Sequence, residues 1–379
     1  MAMTAKKLNQ VTESALEPIS RAATLISSKW HNGPRWVRFV GFLVVIALAV
    51  LAPAQSIGNF MAPQSDWRTI LFYPIGSYIL LALGLNVVVG LAGMLDLGYV
   101  AFFAIGGYTM AVLGVNYNWT FWEILPVGVA AAALSGVLLG APTLRLRGDY
   151  LAIVTLGFGE IIQRVANNLA ITGGPTGISG IPHPPSIGHI SSLTYGVLDA
   201  RPYYYLELAM IIVVLFFTAR LEKSRVGRGW VALREDEDAA ELMGVPTFTF
   251  KIWAFAIGAS VGGLSGVVYA AKVIAITPEN YPLLLSVLIL VCVVLGGSGN
   301  RIGVIAGAFL VAWLPERFRG LANYRILIFG AMLVLMMIFR PGGILPARRR
   351  RAELLEGRGG GAHLGAEIDI EQTSPETEV

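Results

Sequence analysis

Ten stretches of this chain are apolar over lengths that no single motif can override. They run roughly Val37–Ala54, Ile70–Val89, Leu97–Val115, Phe121–Ala141, Tyr150–Ile171, Tyr203–Ala219, Ile252–Ala271, Tyr281–Leu295, Ile302–Leu314 and Ile326–Phe339. About 20 apolar residues in a helix cross the hydrocarbon core of a bilayer. A backbone in lipid has no water to bond, so segments of this length must close their hydrogen bonds internally, as helices. Apolar residues make up 55% of the 379, and charged residues only 14%, against about 25% in soluble domains. A disordered chain, a disulfide scaffold and an ordinary soluble enzyme are excluded. The fold class is an all-α polytopic membrane protein. Ten transmembrane helices is the central count, falling to eight if some of the last three, shorter runs are tilted or re-entrant.

Charge placement orients these spans. With the N-terminus in the cytoplasm, ten crossings put 21 of the 28 Lys and Arg inside and 6 outside, with Arg164 within a span. This is the bias the positive-inside rule demands, and two basic tails require an even number of crossings. Residues 1–36 form a cytoplasmic tail, 37–345 the membrane domain, and 346–379 a basic, then acidic, disordered tail. Ala52-Pro53-Ala54 imitates a signal-peptide cleavage site, but its leader is too long, so the first run is a retained span. The basic residues are scattered, which argues against nucleic acid as a partner. The single cysteine, Cys292, excludes an internal disulfide, and His31, His183, His189 and His363 lack metal-ligand spacing.

Several polar features interrupt the apolar background. Glu160, Gln163, Arg164 and Asn167 recur at i, i+3, i+4 and i+7, so they share one face of a helix inside the run Tyr150–Ile171. Ionisable groups at that depth face protein or a water-filled path. The stripe is a candidate pathway lining or, equally, a buried pair that orients two helices. Gly157 and Gly159 precede it and are candidates for a helix interruption. Gly262-x-x-x-Gly266 is a small-residue face suited to close helix packing. The segment 172–202 is dense in Gly and Pro, which forbids a long helix and implies a shaped external loop.

The long inner loop 220–251 is the most specific segment. Glu235 to Met243 reads as a short helix with acids at its N-terminus, ended by Gly244 and Pro246. Asp238-Ala239-Ala240-Glu241-Leu242-Met243-Gly244 resembles the ATPase-docking loop of ABC importer permeases. The likeness continues through Ala82-Leu83-Gly84-Leu85-Asn86-Val87-Val88-Val89-Gly90-Leu91-Ala92-Gly93, Leu144-Arg145-Leu146-Arg147-Gly148-Asp149-Tyr150, Thr155-Leu156-Gly157-Phe158-Gly159-Glu160, Thr172-Gly173-Gly174-Pro175-Thr176-Gly177 and Arg340-Pro341-Gly342-Gly343-Ile344. As an ordered set over residues 70 to 345, these resemble the M-type permease subunits of branched-chain amino-acid (Liv) ABC importers.

That resemblance implies a multi-pass protein of the bacterial inner membrane that moves Leu, Ile and Val by alternating access. It implies four kinds of partner: an H-type permease, two cytoplasmic ATPases, an external solute-binding protein and the bilayer. It places ATPase coupling on Glu237, Asp238, Ala239, Ala240, Glu241 and Gly244, and adds Asn86 to Glu160, Gln163, Arg164 and Asn167 as pathway candidates. The chain contains no Gly-x-x-x-x-Gly-Lys-[Ser/Thr] phosphate loop, so no cofactor is expected on it and ATP would be bound by the partner subunits. No nucleophile–base or metal constellation points to an enzyme. A urea or short-chain amide permease of the same family is the same-class alternative. A stand-alone secondary transporter or channel is the alternative of another class.

Overall fold

The computed structural model describes residues 66–143, 149–185 and 199–317, with isolated positions between 47 and 62, at 195–196 and between 324 and 345. Both tails, most of the runs Val37–Ala54 and Ile326–Phe339, and residues 144–148 and 186–194 lie outside the described residues. The described part is almost entirely helical. In chain order the helices are α1 (Trp67–Leu91), α2 (Val100–Asn116), α3 (Phe121–Thr143), α4 (Asp149–Asn168) and α5 (Arg201–Glu222). They continue with α6 (Arg225–Glu235), α7 (Glu237–Leu242), α8 (Thr247–Val273), α9 (Leu283–Gly296) and α10 (Arg301–Arg317).

Five of the described helical stretches are long and apolar enough to span a bilayer: α1, most of α3, α5, α8, and 278–296, which contains α9. The polar stripe keeps α4 out of that group. Burial ranks the spans. Within its most apolar window α1 is 83% buried and α8 67%, whereas α3 is 33% and α5 28%. A helix apolar on every side belongs at the centre, and α1 and α8 form that centre, with α2 and α3 packed along α8.

Backbones there approach too closely for side chains. A Cβ on Gly266 would stand 2.1 Å from the carbonyl oxygen of Phe103, and one on Gly106 equally close to that of Gly263. The Gly262-x-x-x-Gly266 face is therefore a seam between α8 and α2, held by van der Waals contact that larger residues would prevent.

A cap and one break shape the first half of α1. Asp66 caps it, its carboxylate accepting from the Thr69 hydroxyl at 2.7 Å. Tyr73 then leaves helical geometry (φ −132°, ψ 123°) immediately before Pro74, as the clash between a proline ring and its predecessor dictates. The interruption expected at Gly157 and Gly159 does not occur, because α4 runs unbroken through both. Among the described helices, the break falls in α1.

Outside the bundle, β1 (Ile178–Ser179) pairs antiparallel with β2 (Ala275–Ile276), so the Gly/Pro-rich segment is stapled to the end of α8. Gly177 permits it: at φ +71° any side chain would be strained, and its Cβ would lie 1.9 Å from Ile276 O. At the opposite end, Ile344 and Leu345 donate backbone N–H groups to Leu295 O (2.8 Å) and Gly296 O (3.1 Å). They satisfy the last carbonyls of α9, which have no partner within the helix.

Gly266→Val forces the α2–α8 seam apart, at a cost of about 1–3 kcal/mol or more. Its expected signature is a lower melting temperature of the detergent-purified protein. Gly157→Ala, at a site where an added Cβ meets nothing within 4 Å, is expected to melt like the native chain.

Candidate translocation face and coupling helix

The α4 helix carries the polar stripe. Its 20 residues extend about 30 Å; Glu160 lies just past its midpoint and Arg164 about one turn from its C-terminal end. Its inward side is Leu151, Ala152, Thr155, Gly159 and Ala166, packed against α2 and its approach: Leu97 N–H donates to Thr155 Oγ1 at 3.0 Å. The stripe itself divides. Gln163 turns inward, its Nε2–H donating to Pro278 O at 3.1 Å, and Asn167 is half-buried. Glu160 and Arg164 point outward, their side chains 40% and 78% exposed, with Arg164 Nε 4.0 Å from Glu160 Oε2. Asn86 is not brought to this face. It is buried in α1, and its Oδ1 accepts from Gly299 N–H at 2.8 Å, tying α1 to the α9–α10 turn.

The inner loop folds into two helices. Ser224 caps α6 by accepting from Gly227 N–H. Trp230 is fully buried, and its indole donates to Phe250 O at 2.7 Å. The short helix expected from Glu235 to Met243 begins two residues later as α7, because Asp236 has extended backbone (φ −156°) and caps it by accepting from Ala239 N–H at 3.0 Å. Ala240 faces inward, while Asp238, Ala239 and Glu241 are exposed. Gly244 has φ +83° and ends the helix in a left-handed turn, with Gly244 N–H to Glu241 O and Val245 N–H to Ala240 O.

Two ionic contacts fasten this unit to the spans. Glu237 pairs with Lys251, a buried residue at the start of the second turn of α8, so this acid is turned toward its own chain. The Arg234 guanidinium donates to Gly90 O at the end of α1, where the dipole of a helix C-terminus favours a cation. The tip, in contrast, projects two apolar side chains: Leu242 is 89% exposed and Met243 85%.

The family model described as branched-chain amino acid transport system / permease component matches residues 69–339. The chain belongs to that family. The high-affinity branched-chain amino acid transport system permease protein LivM of Escherichia coli K12 is 42% identical over 335 residues, covering 83% of this chain and 77% of the relative. The LivM of Salmonella typhimurium LT2 is 43% identical over 84% of this chain and 78% of its own. An autoinducer 2 import system permease protein, LsrC of Yersinia pestis, is 28% identical over 55% of this chain and 60% of its own. No solved structure matches the chain.

The permease also buries two carboxylates away from the polar stripe. Glu207 of α5 is 1% exposed; its Oε1 accepts from the Ser77 hydroxyl at 2.9 Å, and Oε2 has no hydrogen-bond partner among the described residues. The signal was a lone acid within an apolar run. Asp96, in the connector between α1 and α2, is fully buried, its Oδ1 accepting from Gly98 N–H at 2.9 Å. Burial pushes its carboxyl from 3.8 up to about 7, against hydrogen bonds from Gly98 and Thr155 that lower it.

The native state therefore keeps a proton at Asp96 that the unfolded chain releases at lower pH, so stability is lost as pH rises from about 4 through about 7. Purified permease is expected to melt at a lower temperature at pH 8 than at pH 5. Asp96→Asn, which cannot ionise, should reduce that difference.

Proposed function

We propose that this chain is the permease subunit of an ATP-driven importer of branched-chain amino acids in a bacterial inner membrane. It crosses the membrane ten times with both termini in the cytoplasm. It works beside a second, homologous permease, two cytoplasmic ATPases and an external solute-binding protein. The observation that carries the reading is the LivM likeness, above 40% identity across more than four-fifths of the chain. This favours branched-chain amino acids over the urea or amide cargo of the alternative.

The geometry supplies the means. The chain has no phosphate loop of its own, and α7 presents a protruding tip clamped at its base to α8 by Lys251, while Arg234 of the adjoining α6 grips α1. A partner that moves this tip during its ATP cycle moves two central spans with it. The docking contact is led by Leu242 and Met243, with Asp238 and Glu241 setting orientation at the rim. The pathway runs along the outer face of α4. An exposed Glu160 near the middle of a helix read as a span, with Arg164 one turn on, is costly against hydrocarbon, so this face is covered by water and by the second permease. Alternating access then opens this path to each side in turn.

Two measurements bear on the reading. Seating a leucine in an apolar socket is worth about 1.5–3 kcal/mol, roughly ten- to hundredfold in affinity. Leu242→Glu is thus expected to cut ATPase capture and binding-protein-stimulated ATP hydrolysis at least about tenfold while the permease still reaches the membrane. Gly244→Val, strained at φ +83°, should act in the same direction. Full stimulated activity in both variants would remove the coupling role. For orientation, a cysteine replacing Ser179 should react with an impermeant maleimide in intact cells, and one replacing Glu241 only after permeabilisation. The reverse pattern would invert the topology.

A further inference from the structure

The outward face of α4 carries more than charge. Helical spacing sets Gly157 between Ile153 and Val154 on the turn before and Glu160 and Ile161 on the turn after, with Arg164 one turn beyond Glu160. Beyond the helix's own backbone, nothing lies within 4 Å of where a Gly157 Cβ would stand, so the missing side chain leaves a shallow open notch between its helical neighbours. Apolar side chains border it: Ile153 is 65% exposed and Ile161 59%. Above the notch, Glu160 and Arg164 stand 4.0 Å apart. That is too far for a hydrogen bond, and an exposed pair of this kind holds its partners weakly. One anionic and one cationic group, side by side over an apolar recess, complement a molecule that bears an ammonium and a carboxylate on one carbon with a branched hydrocarbon beside them.

We propose that Gly157, Glu160, Ile161 and Arg164 form this subunit's half of a transient seat for a zwitterionic, branched aliphatic α-amino acid. Arg164 receives the carboxylate through its planar fork, Glu160 receives the ammonium, and the side chain lies over Gly157 against Ile153 and Ile161. The inference rests on the reading of α4 as the pathway, which it deepens by assigning substrate contacts.

The test uses the full transporter in proteoliposomes with Ile161→Cys as the reporter, since the native thiol of Cys292 is buried. Maleimide modification at position 161 during turnover is followed with leucine, and with leucinamide, which lacks the carboxylate, as the control. Leucine is expected to slow modification at least about threefold and leucinamide not to. Arg164→Gln should abolish the protection, and Arg164→Lys, which keeps the charge without the fork, should retain part of it. Gly157→Leu is expected to lower leucine uptake about tenfold while leaving alanine uptake within about twofold, a split that a merely structural role would not produce.

Equal protection by both compounds, or none by leucine in a complex that modification inactivates, overturns the seat and leaves the pathway standing. Uninhibited transport after complete modification overturns the pathway reading itself. A cysteine at 161 that reacts in the lone permease but never in the complex marks this face as subunit contact, which also overturns the seat.

Discussion

A polypeptide inside hydrocarbon cannot turn to water when a helix breaks, so each lapse in hydrogen bonding must be made good by a neighbouring chain segment. In this protein that constraint acts on α1, the most buried of the described spans. Around Tyr73 and Pro74 the helix is interrupted, and Ser77 and Glu207 meet one turn below, a polar pair packed so closely that a Cβ on Gly76 would stand 2.3 Å from Glu207 Oε2. At its other end α1 widens into a π-helical turn over Asn86–Leu91. There Asn86 accepts from Gly299, and Gly90 O accepts from Arg234. The buried polar groups are thus placed where α1 departs from regular geometry, and they tie it to α5, to the α9–α10 turn and to the inner loop.

The same ties make the inner loop a rigid handle. Trp230, locked to Phe250 O, fixes α6 on the start of α8; Lys251 fixes α7 to the same turn. Arg301 and Glu222, 3.0 Å apart, join the base of α10 to the end of α5. Breaking a buried pair such as Lys251–Glu237 from one side leaves a charge uncompensated, so the handle resists bending at its root. Its exposed apolar end is the part left for another surface to grip.

Much of this was legible before any coordinates. Run length is a one-dimensional property, and it marked all five of the described helical stretches that are long and apolar enough to span. Local chemistry marked the Gly244 turn, since a glycine closing a short helix predicts a positive φ. The small-residue face of α8 was visible as Gly262 and Gly266, though not the helix it meets. What escaped the sequence was pairing at a distance. Glu207 and Ser77 are 130 residues apart, and Asn86 and Gly299 are 213 apart; periodicity does not connect them. Asp236 reads as one more acid in a run, and only the extended backbone there makes it a cap that divides the loop in two. Glycines at 157 and 159 suggested a break that neighbouring backbone hydrogen bonds do not permit, whereas Tyr73-Pro74, plainly present in an apolar run, is where the chain yields.

The connector between α1 and α2 links the handle to the polar face. Gly93 packs against Arg234, and five residues on, Gly98 lies so close to α4 that its Cβ would meet the Thr155 carbonyl. Leu97 N–H bonds the Thr155 hydroxyl in the same place. One short segment, with Asp96 buried inside it, therefore touches both the unit that a partner would grip and the helix that carries Glu160 and Arg164. Contiguity alone does not make coupling; an element with two arrangements does. The connector is anchored on several sides: Leu97 N–H bonds Thr155 of α4, Tyr99 donates its hydroxyl to Gly258 O of α8 at 2.7 Å, and Val100 N–H donates to Ser286 Oγ of α9 at 2.9 Å. α6 meets the bundle at α8 through Trp230, at α1 through Arg234 and at the connector through Gly93, and the connector contact leads directly to Thr155 of α4.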